Sequence, residues 1–108
     1  MVPCFQLKDI DHEGWLQKLG GSGLTPKNWR RRWFVLKGPH LYYYKTAFDV
    51  CALGLVKLRG YTVEETADSK KQFAFQLSKE GERTYYFIAE TSEEMTRWMQ
   101  VLKKASEL

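Results

Sequence analysis

The sequence holds few of the groups that most often carry chemistry. Its two cysteines, Cys4 and Cys51, are too few for a disulfide scaffold and lack metal-ligand spacing. They read as free thiols of a reducing compartment. Its two histidines, His12 and His40, have no nucleophile or metal-partner set in view, so neither an enzyme, a metal site nor a cofactor is expected. His40, beside Pro39, reads as a turn residue. No stretch approaches the roughly 20 apolar residues of a membrane-spanning helix. Met1 to Ile10 contains Lys8 and Asp9 and no long apolar run, so no secretory signal is expected. Repeats and long linkers are also missing. One domain is therefore expected in 108 residues: a lead-in over 1–12, the domain over 13–105 and a tail over 106–108.

Acid is missing from one region in particular. Between Gly14 and Phe48 there is no Asp or Glu, while Lys18, Lys27, Arg30, Arg31, Arg32, Lys37 and Lys45 fall there. The formal net charge is only +4, so the remainder of the chain is mildly acidic and the cations are concentrated rather than spread. Such asymmetry points to an anionic partner: a membrane surface, a phosphorylated ligand or nucleic acid.

What the chain does hold is core-forming material, 44% hydrophobic residues with four Trp, six Tyr and six Phe. That is the composition of a folded globule. Alternation and turn signals predict strands at Gly14–Leu19, Trp29–Lys37, Leu41–Lys45, Leu53–Leu58, Tyr61–Glu65, Gln72–Ser78 and Arg83–Ala89. Gly20-Gly21-Ser22-Gly23 and Pro26 break the chain after the first, and Lys79-Glu80-Gly81-Glu82 forms a hairpin turn before the last. Seven strands at close spacing indicate a small antiparallel barrel or sandwich. The end differs. Thr91-Ser92-Glu93-Glu94 fits a capping box, and Met95, Trp98, Met99 and Leu102 recur on one helical face. Lys103 and Lys104 suit the last turn. The spacing predicts one amphipathic helix over 92–105, packed on the sheet with Trp98 as a core anchor.

Strand parity then places the cations. Side chains two apart share a face, so Arg30, Arg32, Phe34 and Leu36 lie together on the second strand, as Leu16 and Lys18 do on the first. If these strands pair around the loop from Leu19 to Asn28, then Leu16, Phe34 and Leu36 are core. Lys18, Arg30 and Arg32 meet at one rim, beneath the glycine-rich loop that carries Lys27. Tyr43 shares a face with Leu41 and can present its hydroxyl there. Guanidinium forks and close backbone N–H groups suit phosphate oxygens. Arg31, of opposite parity, faces outward and adds to the field only. Trp29 and Trp33 also take the opposite face, so stacking and phosphate contacts do not converge, which argues against nucleic acid.

These residues resemble the pleckstrin homology (PH) family. The signature runs through Gly14-Trp15-Leu16-Gln17-Lys18, Trp29-Arg30-Arg31-Arg32-Trp33-Phe34-Val35-Leu36 and Leu41-Tyr42-Tyr43-Tyr44, with Trp98 matching the family's nearly invariant tryptophan. The match spans about Glu13 to Leu102. The resemblance implies a mainly β fold, a seven-stranded bent antiparallel β-sandwich capped by the C-terminal α-helix, binding phosphoinositide headgroups at its open end. Lys18, Arg30 and Arg32 match the family's phosphate contacts, Lys27 a basic loop position, and Tyr43 a tyrosine used by some 3-phosphoinositide binders. It further implies a monomeric, cytoplasmic module peripheral to the plasma membrane, recruiting a larger signalling or scaffold protein to anionic inner-leaflet lipids. The alternative is a protein–protein interaction module of the same fold with weak or non-selective lipid binding. One departure stands out. Tight binders often carry a basic residue just before the glycine opening the fourth strand, where this chain has Leu53 before Gly54. Ala47 to Leu53 holds no cation and one acid, Asp49. Phe48, Val50 and Leu53 either form an apolar surface patch for lipid or a partner, or pack the loop onto the barrel.

Overall fold

The structure, a computed structural model, describes residues 9–21, 27–66 and 70–108. Seven strands form one antiparallel sheet, and a helix follows: β1 (His12–Gly20), β2 (Asn28–Lys37), β3 (His40–Tyr44), β4 (Gly54–Lys57), β5 (Thr62–Glu65), β6 (Ala74–Ser78), β7 (Tyr85–Ile88) and α1 (Ser92–Ser106). The sheet order is β4-β3-β2-β1-β7-β6-β5, so β4 and β5 are the edges. This is the expected mainly β architecture with one C-terminal helix. The glycine-rich reading of Ser22, Gly23 and Pro26 lies outside the described residues.

β1 is the central strand. It pairs with β2 along its whole length, from His12↔Leu36 to Gly20↔Asn28, but with β7 only at Gln17↔Ile88 and Lys18↔Phe87. Its distal half therefore holds the two parts of the sheet together, and Lys18 sits at that junction. The inward parity is borne out: Leu16, Phe34, Leu36, Leu41, Phe75, Leu77 and Phe87 are buried in one cluster with Trp98 and Leu102. The chain direction reverses at each hairpin, so the β1–β2, β3–β4 and β6–β7 connections all leave the sheet at one end.

The helix closes the opposite end. Thr91 is extended and its Oγ1 accepts a hydrogen bond from the Glu94 N–H at 3.0 Å, so Thr91 caps the helix as expected, while the Glu94 carboxylate lies 3.7 Å from His12 Nε2. Trp98, Leu102 and Ala105 are buried beneath it, with Met95 and Met99 partly so.

Several element ends shift for identifiable reasons. β1 begins at His12, and ahead of it Asp11 is already engaged: its N–H donates to the Leu36 carbonyl, and its carboxylate accepts from the Gly38 N–H at 2.8 Å. Gly38 has φ 56, a turn conformation open to glycine at little cost. β6 begins at Ala74 rather than Gln72, because Phe73 adopts φ 59 and interrupts the strand. At the other terminus, Ser106 is buried and accepts from the Gly60 N–H, while the Leu108 carbonyl accepts from Arg59 Nε.

Candidate functional site

The β1–β2 register sets Lys18 directly opposite Arg30 and Leu16 opposite Arg32. Like charges facing each other across strands repel. Here no carboxylate relieves the repulsion: among the described residues Glu90 pairs with Arg31, Glu94 lies 3.7 Å from His12, and no ion pair involves Lys18, Arg30 or Arg32. Lys18, Gly20, Arg30, Arg32, Tyr43 and Leu53 line one small recess of about 160 Å³. The sequence-predicted residues Lys18, Arg30, Arg32 and Tyr43 are thus together at the open end.

Lys18 is the unusual member. It is only 8% exposed, and its ammonium lies 5.1 Å from the Tyr43 ring centroid and 5.7 Å from that of Tyr85. Burial, reinforced by the charges of Arg83 and Arg32, lowers its pKa to about 8. Tyr43 therefore contributes its ring face to the lysine, and its hydroxyl reaches Gly54 across the β3–β4 pair. Burial also raises the Tyr43 pKa, which keeps that hydroxyl protonated.

Gly54 is needed for space, not for backbone freedom. A Cβ there would overlap the Tyr43 hydroxyl and ring, coming within 2.7 Å of Cε1. Gly54→Ala is expected to force Tyr43 off both Lys18 and Phe34, costing about 1–3 kcal/mol by overpacking. Thermal melting checks the loss, and a Tm equal to wild type would mean that the ring moves freely.

Arg83 was not singled out in the sequence. It lies 5.2 Å over the Tyr85 ring and acts on Lys18 and Tyr43 through its charge. The signal was present: Arg83, Tyr85 and Phe87 share parity, and Phe87 is the register partner of Lys18. Lys27 stands apart from Lys18, Arg30 and Arg32. It lines a neighbouring recess of about 390 Å³ with Arg83, Thr84 and Tyr86. Arg31 faces outward as expected but does more than add to the field. Its guanidinium stacks 3.9 Å over Trp15 and donates to Glu90 at 2.9 Å. Trp33 joins a second buried cluster with Val35 and Tyr44, on the face away from the pocket.

What this arrangement offers is a desolvated ammonium and guanidinium donors around a rim recess. Charge-assisted donors of this kind suit a multiply charged phosphate ester. Among the described residues no cluster of side chains could hold a metal ion, and no helix is long and apolar enough to cross a membrane.

Comparison with known proteins identifies the fold. The sequence is 43% identical over 106 residues to a PH domain-containing protein of Dictyostelium discoideum, covering 95% of this chain and 22% of that protein. It is 39% identical over 103 residues to human connector enhancer of kinase suppressor of ras 1, covering 94% of this chain and 14% of that protein. The chain thus spans less than a quarter of either relative. Among solved structures, the C-terminal PH domain of pleckstrin in complex with D-myo-Ins(1,2,3,4,5)P5 superposes with a TM-score of 0.77 at 32% identity, covering 90% of this chain and 98% of that one. The PH domain of human pleckstrin homology domain-containing family A member 5 gives 0.78 at 31% identity, covering 91% and 77%. The PH domain profile itself matches residues 10–107, from the residue before Asp11 to the end of the closing helix, and this chain belongs to the PH domain family.

Proposed function

We propose that this domain is a non-catalytic, membrane-targeting module that binds phosphoinositide headgroups at the rim between β1 and β2. It would bring a larger signalling or scaffold protein to the inner leaflet of the plasma membrane. The observation that carries the reading is the convergence of Lys18, Arg30 and Arg32 on one recess with no carboxylate among its lining residues. An anion removes the repulsion between them, so ligand binding and relief of strain act in the same direction. The pleckstrin domain that this chain resembles was solved with an inositol pentakisphosphate, and the human relative bears a name from kinase signalling. Lys18, Arg30 and Arg32 are the proposed phosphate contacts, Tyr43 the ring that positions Lys18, and Lys27 a contributor from the loop. The domain is proposed to act as a monomer, in the cytoplasm and peripherally at the membrane.

The test is vesicle co-sedimentation at about 0.15 M salt, where a diffuse basic patch is largely screened. Phosphatidylserine vesicles are compared with vesicles that also carry each class of phosphorylated inositol lipid, and soluble inositol phosphates are titrated in parallel. The Arg30→Ala/Arg32→Ala variant is expected to lose about 100-fold or more in affinity, since each charge-assisted contact contributes roughly 1.5–3 kcal/mol, with its melting temperature maintained. Binding of soluble inositol phosphates without vesicle binding would make the ligand a free metabolite. No binding beyond phosphatidylserine alone would replace this reading with the protein-interaction one.

A further inference from the structure

The β3–β4 connection presents apolar side chains to water. Phe48 is 83% exposed, Val50 61% and Leu53 53%, so the loop does not pack these residues onto the barrel. Scattered apolar residues on a surface need no explanation, but three large ones in a six-residue stretch do.

The loop is also held in shape. The Thr46 N–H and hydroxyl both donate to the Asp49 carboxylate, at 3.1 and 2.7 Å, and the Phe48 N–H donates to Thr46 Oγ1 at 3.3 Å. The Leu53 N–H donates to the Tyr43 carbonyl at 2.8 Å and closes the loop onto β3. These bonds fix the turn from which Phe48 and Val50 project. They also occupy the one acidic side chain of the loop: the Thr46 hydroxyl holds the Asp49 carboxyl below its ordinary pKa, and both carboxylate oxygens face the turn.

The position of this lip identifies its occupant. Leu53 belongs to the lip and also lines the recess with Lys18, Arg30 and Arg32. The β3–β4 and β1–β2 connections leave the same end of the sheet. Lys45, at the base of the lip, is exposed. Apolar tips rimmed by cations fit an anionic bilayer, whose headgroup phosphates lie above its acyl chains. A protein groove would have to supply both layers.

The geometry points to the Phe48–Val50–Leu53 lip as a second membrane contact, which enters the interfacial region of an anionic bilayer while the adjacent pocket holds a headgroup. This rests on the headgroup reading above and adds to it. It also offers a substitute for the basic residue missing at Leu53: apolar insertion supplies affinity where a further phosphate contact is absent. Affinity gained this way depends on the bilayer and not on which hydroxyls of the inositol are phosphorylated.

The test separates bilayer from headgroup. A Phe48→Ser/Val50→Ser variant and wild type are titrated with a soluble inositol polyphosphate, and with phosphatidylcholine/phosphatidylserine vesicles carrying the phosphoinositide that wild type binds best. Cys51, free and exposed between Val50 and Ala52, takes an environment-sensitive dye in a Cys4→Ser background. The expected result is unchanged binding of the soluble ligand, vesicle binding weaker by about tenfold or more, and a blue-shifted dye emission on vesicles but not with the soluble ligand. Equal vesicle binding by variant and wild type, with no dye shift, would overturn the lip and leave the headgroup pocket standing. The lip would then be left to a protein partner. Failure of wild type to bind either the soluble ligand or the vesicles would overturn the headgroup reading and the lip with it.

Discussion

Trp98→Ala is expected to cost about 3–5 kcal/mol of folding stability, against a total of roughly 5–15 kcal/mol for a domain of this kind. The indole is fully buried, and it joins three parts of the chain. Its ring meets His12 of β1 edge-on at 4.5 Å and Phe34 of β2 at 6.5 Å. A Cβ on Gly14 would stand 3.7 Å from its Nε1, an ordinary contact, so β1 passes close beside it. The side chain is therefore the plug between the helix and the closed end of the sheet, and its removal leaves a cavity that no single neighbour can fill. Each kcal/mol shifts the melting temperature of a domain this size by roughly 4–8 °C, so calorimetry should show a fall of tens of degrees.

A second variant separates volume from hydrogen bonding. Trp98 Nε1 is buried and has no hydrogen-bond partner among the described residues, and the same holds for His12 Nε2, whose nearest carboxylate, Glu94, is 3.7 Å away. Trp98→Phe then loses area but no hydrogen bond, and should cost clearly less than Trp98→Ala. Equal losses would show that the indole N–H is bonded after all. At low temperature, where Trp98→Ala still folds, headgroup affinity should match wild type, because the pocket lies at the other end of the sheet.

Much of this architecture was legible from period and parity. Alternation in Trp29–Lys37 separated Arg30 and Arg32 from Trp33, and two-residue spacing placed Leu16 and Lys18 on one side. The structure puts each where parity requires. The helix was equally plain, because Thr91, Glu94 and the stripe through Trp98 are local signals. Other features depend on contacts that no local pattern encodes. Phe73 breaks β6 with a left-handed backbone that sequence rarely assigns to a bulky residue. Ile10 packs against Val35 and Tyr44 on the outer side of the sheet, although its segment has no period. At the site, the residue types were readable but the burial of Lys18 was not. It arises because β7 crosses β1 at that residue and brings Tyr85 and Arg83 beside it, a long-range pairing invisible to the spacing of β1.

That burial has the largest functional consequence, because stability and binding should respond to Lys18 in opposite directions. Lys18→Met keeps the length and apolar stem of the side chain while removing a charge that is 8% exposed and surrounded by Arg83 and Arg32. The ring contacts with Tyr43 and Tyr85 recover part of the desolvation cost but not all, since the pKa still falls to about 8. The variant is expected to be more stable than wild type at pH 7 by on the order of 1–2 kcal/mol, and to bind headgroup phosphate about 10- to 100-fold more weakly. The pH dependence fixes the sign. An unfolded lysine keeps its proton up to its ordinary value of 10.5, whereas folded Lys18 releases it at about 8. The unfolded chain thus binds more protons between these limits, and wild-type stability should rise relative to Lys18→Met as pH increases from about 8 toward 10.5. Headgroup affinity should fall over the start of that range, with a proton taken up on binding near pH 8, as phosphate restores the charged form. Calorimetric titration in two buffers of different ionisation enthalpy measures that proton. A Lys18→Met variant less stable than wild type at pH 7, with no proton uptake on binding in the wild type, would mean that Lys18 is an ordinary structural contact and not a charge held in readiness for an anion.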